Sequence, residues 1–174
     1  MLVSRPSWDK YFLNIATAVA ERSDCDRSKV GAVVVKDRRI RGTGYNGSPA
    51  GMPGCGSCPR RLASVSPGET SYDDGPGRCV AVHAEANALL YCDREDLVGA
   101  TLYVTREPCY GCEKLITASG VERVVTPDVH TEARFRSTTY GLRAEQFYLD
   151  NPVVHLSPLV DLDAPWWEIL EASH

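Results

Sequence analysis

The sequence predicts an α/β fold, a single mixed sheet with helices on both faces. Two observations carry this. The first is the order of patterns along the chain: a helix, a strand hairpin, then helix and strand in alternation. The second is Val30-Gly-Ala-Val-Val-Val35, a short β-branched run that reads as a buried strand. With 174 residues, 43% of them hydrophobic, the chain is long enough for one packed core, and we expect one domain over residues 1–174.

The elements follow in order. From Trp8 to Glu21 apolar residues recur at helical spacing (Tyr11, Phe12, Ile15, Ala16, Val19, Ala20), with Ser7 placed to cap the start. Lys36 to Arg39 is a polar turn, and Ile40 to Tyr45 the returning strand. Residues 46–79 are rich in Gly, Pro, Ser and Cys. A loop that long inside a compact domain needs something to tie it down, and three cysteines lie within it. A helix is expected from Ala84 to Arg94, a strand over Thr101–Thr105, and a helix from Tyr110 to Ser119 stopped by Gly120. Val121 to Thr126 reads as a strand, 131–145 as a helix, 152–157 as a late strand, and Ala164 to Glu171 as a last helix.

Charge and targeting narrow the function. A net charge of −4 and a pI near 5.6 argue against a general nucleic-acid binder. Two or three local arginines would still hold one phosphate. No apolar run approaches the roughly 18 residues of a membrane span, so no membrane partner is expected. The start, MLVSRPSWDKYF, has no charged stretch followed by an apolar one, so the cytoplasm is the expected compartment. Seven cysteines, an odd number, argue against a disulfide framework, and two C-x-x-C pairs point to metal.

The chemistry concentrates in His83-Ala84-Glu85 and, 26 residues after His83, Pro108-Cys109-Tyr110-Gly111-Cys112. A catalytic zinc takes three protein ligands and keeps its fourth position for water. His83, Cys109 and Cys112 supply one imidazole and two thiolates, which nearly neutralise the metal charge. Both ligand groups stand at starts of expected helices, where the helix dipole favours thiolates. Glu85 is left over as the group that can carry protons. A C-x-x-C alone could be redox-active or half a structural site. A zinc ribbon would place its pairs about 15–20 residues apart, but Cys55-x-x-Cys58 and Cys109-x-x-Cys112 are much further apart.

The H-x-E…P-C-x-x-C pattern is the signature of zinc nucleobase deaminases. Over residues 8–127 the chain resembles the deoxycytidylate (dCMP) deaminase family. The matching segments are WDKYF, VGAVVV, RIRGTGYNGSPAG, HAEANALLY, GATLYVT, PCYGC, KLI and SGVERVV. Asn87, in HAEAN, sets this family apart from tRNA adenosine and riboflavin-pathway deaminases. The resemblance implies a three-layer α/β/α fold with a five-stranded mixed sheet, and both zinc-bearing helices on one face. It implies zinc on His83, Cys109 and Cys112, proton transfer by Glu85, and hydrolysis of dCMP to dUMP and ammonia. A nucleoside, a ribonucleotide or a modified cytosine is the alternative substrate, and a non-catalytic zinc-stabilised binding module the alternative class.

Further expectations rest on the same likeness. Asn46 contacts the nucleotide, although Asn46-Gly47 is also a strong turn signal. Arg27 and Ser48 are candidates for the phosphate, with Arg134 and Arg136 behind them. Cys25, Cys55, Cys58 and Cys79 match the places where microbial and phage members hold a second, structural zinc. Ordinary reduced cysteines are the alternative. Cys92, inside a helix, is expected in the core. The family also implies a homo-oligomer and control by deoxynucleoside triphosphates. After Val125 the chain departs from the family's aromatic-rich continuation and reads TPDVHTEARFRSTTYGL.

Overall fold

A computed structural model describes residues 5–66, 68–127 and the backbone of 135–139. Ser7 caps helix α1 (Trp8–Ala20), its hydroxyl accepting the Lys10 N–H at 3.2 Å. That satisfies one of the donors a helix start leaves open. The buried face of α1 is Phe12, Leu13, Ala16 and Ala20. Tyr11, expected inward, is 46% exposed and packs edge-on against Trp8.

Strands β1 (Gly31–Lys36) and β2 (Arg39–Tyr45) form the expected hairpin. Its two-residue turn places Asp37 and Arg38 at φ 53° and 60°, the left-handed geometry whose twist suits a tight hairpin. On its other side β1 pairs antiparallel with β3 (Thr101–Val104), and β3 pairs parallel with β4 (Arg123–Pro127). Helix α5 (Tyr110–Ser119) makes the crossover and ends at Gly120, whose φ of 88° is the usual helix stop. The result is a mixed sheet in the order β2-β1-β3-β4.

The backbone of β5 (Phe135–Thr139) runs antiparallel to β4, with Ser137 opposite Val125. A helix was expected over 131–145. Phe135, Thr138 and Thr139 favour extended backbone, and the open edge of β4 offers hydrogen bonds that a helix would forgo. The helix expected to Arg94 also stops early. Helix α3 is Ala84–Leu90, and a separate turn, α4 (Arg94–Leu97), follows the extended Asp93. A third short helix, α2 (Pro59–Leu62), lies in the long loop after a 3₁₀ turn at Cys55–Ser57.

Alternate residues of the same strands serve two cores. Val33, Val35, Tyr103 and Val125 pack with Phe12, Leu13 and Ala16 of α1. Ala32, Val34, Leu102, Val104 and Val124 pack with Ala84, Ala88, Cys112 and Ile116 of α3 and α5. Burial on both sides explains why β1 is a continuous apolar run rather than an alternating one. Helix α3 sits very close to β2. A Cβ on Gly44 would lie 2.3 Å from both the Ala84 carbonyl oxygen and the Ala88 nitrogen.

The described residues lie within one compact unit, Met1–Gly141. The expected strand at 152–157 and helix at 164–171 lie outside the described residues, as does part of the single domain expected over 1–174. Among the described residues no helix is long and apolar enough to cross a membrane.

Candidate active site

Two helix starts meet at the site. His83 is the extended residue before α3, and Cys109, fixed behind Pro108, is the extended residue before α5. Cys112 sits in the first turn of α5. Because α3 and α5 cover the same face of the sheet, their N-termini come together. His83 Nδ1 lies 3.4 Å from Cys109 Sγ and 3.4 Å from Cys112 Sγ. All three donor atoms are within 4.8 Å of one another. Zinc bonds of roughly 2.0–2.3 Å at tetrahedral angles place ligand atoms about 3.5 Å apart, so this triangle fits zinc.

The electrostatics agree with the donor set. A hydrogen bond from the Cys112 thiol, with a second from the His83 ring, holds the Cys109 thiol down at about 3. The Cys109 sulfur in turn pushes Cys112 up, and burial adds to it. Two sulfurs sharing one proton beside a ring nitrogen are a ready pair of thiolates once a divalent cation takes the proton's place. The His83 ring is raised, chiefly by its bond to Cys109.

Glu85 lies in the first turn of α3, two residues after His83, and is not part of the triangle. Its residue is 4% exposed, and burial pushes its carboxyl above the ordinary range. It lines a pocket together with His83 and Cys109.

Asn46, Arg27 and Ser48 also line this pocket. The Asn46 side chain already accepts the Val30 N–H at 2.7 Å and donates to the Ser28 carbonyl at 2.8 Å. It pins the end of β2 to the approach to β1, and thereby shapes one wall. Arg27 donates to the carbonyls of Arg60, at 3.1 Å, and Val65, so it ties down the long loop. Ser48 Oγ is buried with no partner among the described residues. Asn87 donates to the Tyr45 carbonyl at 2.7 Å and anchors α3 to the end of β2. Arg134 lies outside the described residues, and the side chain of Arg136 is not described.

The other cysteines form two pairs, Cys25 with Cys55 at 3.8 Å and Cys58 with Cys79 at 4.0 Å between sulfurs. All four line the same pocket. Cys92, expected inside a helix, lies just past the end of α3, but it is partly buried and packs on the core, as expected. Sequence reasoning missed Arg106, Arg60 and Tyr72, which line the pocket too. Arg106 carried a signal, since it stands three residues before Cys109 in the loop that delivers that ligand. Arg60 and Tyr72 lie in the irregular loop, where nothing local marks them.

The zinc-binding region of cytidine and deoxycytidylate deaminases matches residues 6–127. The chain belongs to this deaminase family. The deoxycytidylate deaminase of Mycobacterium phage D29 is 75% identical over 125 residues, 72% of this chain and 98% of that one. The Schizosaccharomyces pombe deoxycytidylate deaminase is 40% identical over 141 residues, covering 79% of this deaminase but 41% of the yeast protein. Among solved structures, the dCMP deaminase of cyanophage S-TIM5 in complex with dCMP and dUMP matches at 29% identity with a TM-score of 0.51, over 70% of this chain and 82% of that one. The mixed sheet flanked by helices is thus shared with a deaminase of known structure, and the His83–Cys109–Cys112 triangle falls inside the matched zinc-binding region.

Proposed function

We propose that this deaminase hydrolyses dCMP to dUMP and ammonia, with Glu85 as its proton carrier. The observation that carries the reading is the buried Glu85 carboxyl standing beside, but outside, the three-donor triangle. Two curated relatives are named deoxycytidylate deaminases, and the cyanophage enzyme is described with dCMP and dUMP.

His83, Cys109 and Cys112 would hold the zinc. When bound, zinc supplies a Lewis acid that brings water's ionisation toward neutral pH. Glu85 takes a proton from the attacking water, gives it to ring N3, and carries the second, from the hydroxyl then on C4, to the departing amine. A carboxyl raised by burial is matched to that exchange, since it gains and loses a proton at small cost. The pocket walls restrict water and hold the base. Ser48 Oγ offers an unpaired hydroxyl to the nucleotide. Arg27 lines the same pocket, and among the described residues Arg106 donates one hydrogen bond, to Ser28 Oγ at 3.0 Å, leaving guanidinium donors there for a phosphate.

The phosphate tests the substrate. dCMP should exceed deoxycytidine by roughly a hundredfold in kcat/KM, about 3 kcal/mol of transition-state binding. An ammonia-release assay over dCMP, CMP, deoxycytidine, cytidine and methylated dCMP reads this directly. Equal efficiency on dCMP and deoxycytidine would replace the nucleotide with the nucleoside as substrate.

We also propose a second, structural zinc on Cys25, Cys55, Cys58 and Cys79. Its support is the two sulfur pairs at 3.8 and 4.0 Å, which close a loop that is otherwise mostly irregular. Elemental analysis of zinc-replete protein should give about two metals per chain, falling to one in Cys58→Ala. One metal in both proteins would remove the site. By the same family likeness, the proposal includes a homo-oligomer and control by deoxynucleoside triphosphates.

A further inference from the structure

Arg60 is 3% exposed, and among the described residues it makes no ion pair with a carboxylate. Burying a guanidinium costs several kcal/mol unless its donors are satisfied. Here they are satisfied by the loop itself. One terminal nitrogen donates to Thr70 Oγ1 at 3.1 Å and to the carbonyls of Ser71 and Gly77 at 2.9 and 3.1 Å. The other donates to the carbonyls of Ser66 and Thr70 at 2.8 and 3.2 Å. A rigid planar fork can gather several carbonyls this way, and a lysine cannot.

The same group reaches the metal centre. The Arg60 Cζ lies 4.1 Å from the Tyr72 ring centroid, over its face. The Tyr72 ring meets the His83 ring at 5.1 Å and 84°. Tyr72 is also held by the Gly68 N–H on its hydroxyl at 3.0 Å and by the Cys79 N–H on its carbonyl at 2.8 Å. The next residue, Asp73, approaches the first turn of α5 where Gly111 has no side chain. A Cβ there would lie 3.3 Å from Asp73 Oδ2.

We infer that Arg60 and Tyr72 are positioning residues, a stacked pair through which the 60–79 loop clamps the His83 ring in the orientation that aims Nδ1 at Cys109 and Cys112. The usual device for fixing a ligand imidazole is a hydrogen bond from its far N–H to a neighbouring carboxylate, carbonyl or water, and loss of such support costs about 10–100-fold in metal affinity. Here a perpendicular aromatic ring, stacked on a buried cation, does that work. The loop thereby gains a role in the deaminase site beyond bearing cysteines. The inference rests on the zinc assignment and not on the identity of the nucleotide.

The test is the rate at which zinc passes to a chelator, with no nucleotide present. The catalytic-site phase is the one missing from His83→Ala protein. That phase should quicken about tenfold or more in Tyr72→Leu and in Arg60→Lys. Tyr72→Phe keeps the ring and should stay within about threefold of the parent. Arg61→Ala removes an exposed ion pair of the same loop, Arg61 Nε to Asp26 at 3.6 Å, without touching the groups that hold Arg60, and should release zinc at the parent rate. Release from Tyr72→Leu at the parent rate, or equal acceleration in Arg61→Ala, would overturn the inference. If Arg60→Lys does not fold, the Leu and Phe variants at Tyr72 decide the matter. A parent protein with no His83-dependent phase would overturn the metal assignment and this inference together.

Discussion

Glu85→Gln should lower dCMP turnover by about a thousandfold or more while leaving fold and zinc content unchanged. The amide has the shape of the carboxyl but neither accepts a proton nor gives one back at neutral pH. Glu85 stands outside the donor triangle, so the three metal donors remain complete. Its burial makes the substitution benign for packing, because a neutral amide is cheaper to bury than a carboxylate. Ammonia release, elemental analysis and circular dichroism on one preparation check the three parts. Turnover above about a tenth of the parent's would end the assignment of Glu85 as the proton carrier.

Gly44→Ala should cost about 3 kcal/mol of stability, the upper end of what overpacking does, and lower the melting temperature by roughly 10 °C. The added carbon would meet backbone atoms of Ala84 and Ala88 at 2.3 Å, and 2.9 Å from the Ala88 Cα. No rotamer change relieves a clash with backbone, so α3 must lift off β2. Helix α3 carries Glu85 and begins at His83, so activity should fall along with stability. Gly56→Ala is the control, since nothing lies within 4 Å of its Cβ position. A Gly44→Ala protein melting within about 2 °C of the parent would show that the contact is softer than its geometry.

These two residues illustrate what the chain reveals on reading. The H-x-E and P-C-x-x-C segments were legible because metal chemistry constrains residue type and spacing together, and each ligand sits where a helix begins. The helices α1 and α5 and strands β1 to β4 were legible from periodicity and from Gly120. What escaped detection depends on long-range contact. Nothing local says that Gly44 lies under α3, or that Arg60 stacks on Tyr72 against His83. The break between α3 and α4 turned on Asp93 favouring extended backbone, a weak preference inside an apolar helical pattern. Helical spacing over 131–145 likewise misled, because a free sheet edge outweighs propensity there. Arg27 was singled out for the phosphate, yet its guanidinium is bonded to the Arg60 and Val65 carbonyls, 33 and 38 residues away.

The division of the sheet into two packed faces bears on how this enzyme can change. The chemistry hangs entirely from one face, under α3 and α5, while α1 covers the other with Phe12, Leu13 and Ala16. A substitution that improves packing against α1 leaves the ligands where they are. The α1 side is therefore where an evolving or engineered variant can recover robustness lost to changes in substrate preference, and the two kinds of mutation should combine almost independently.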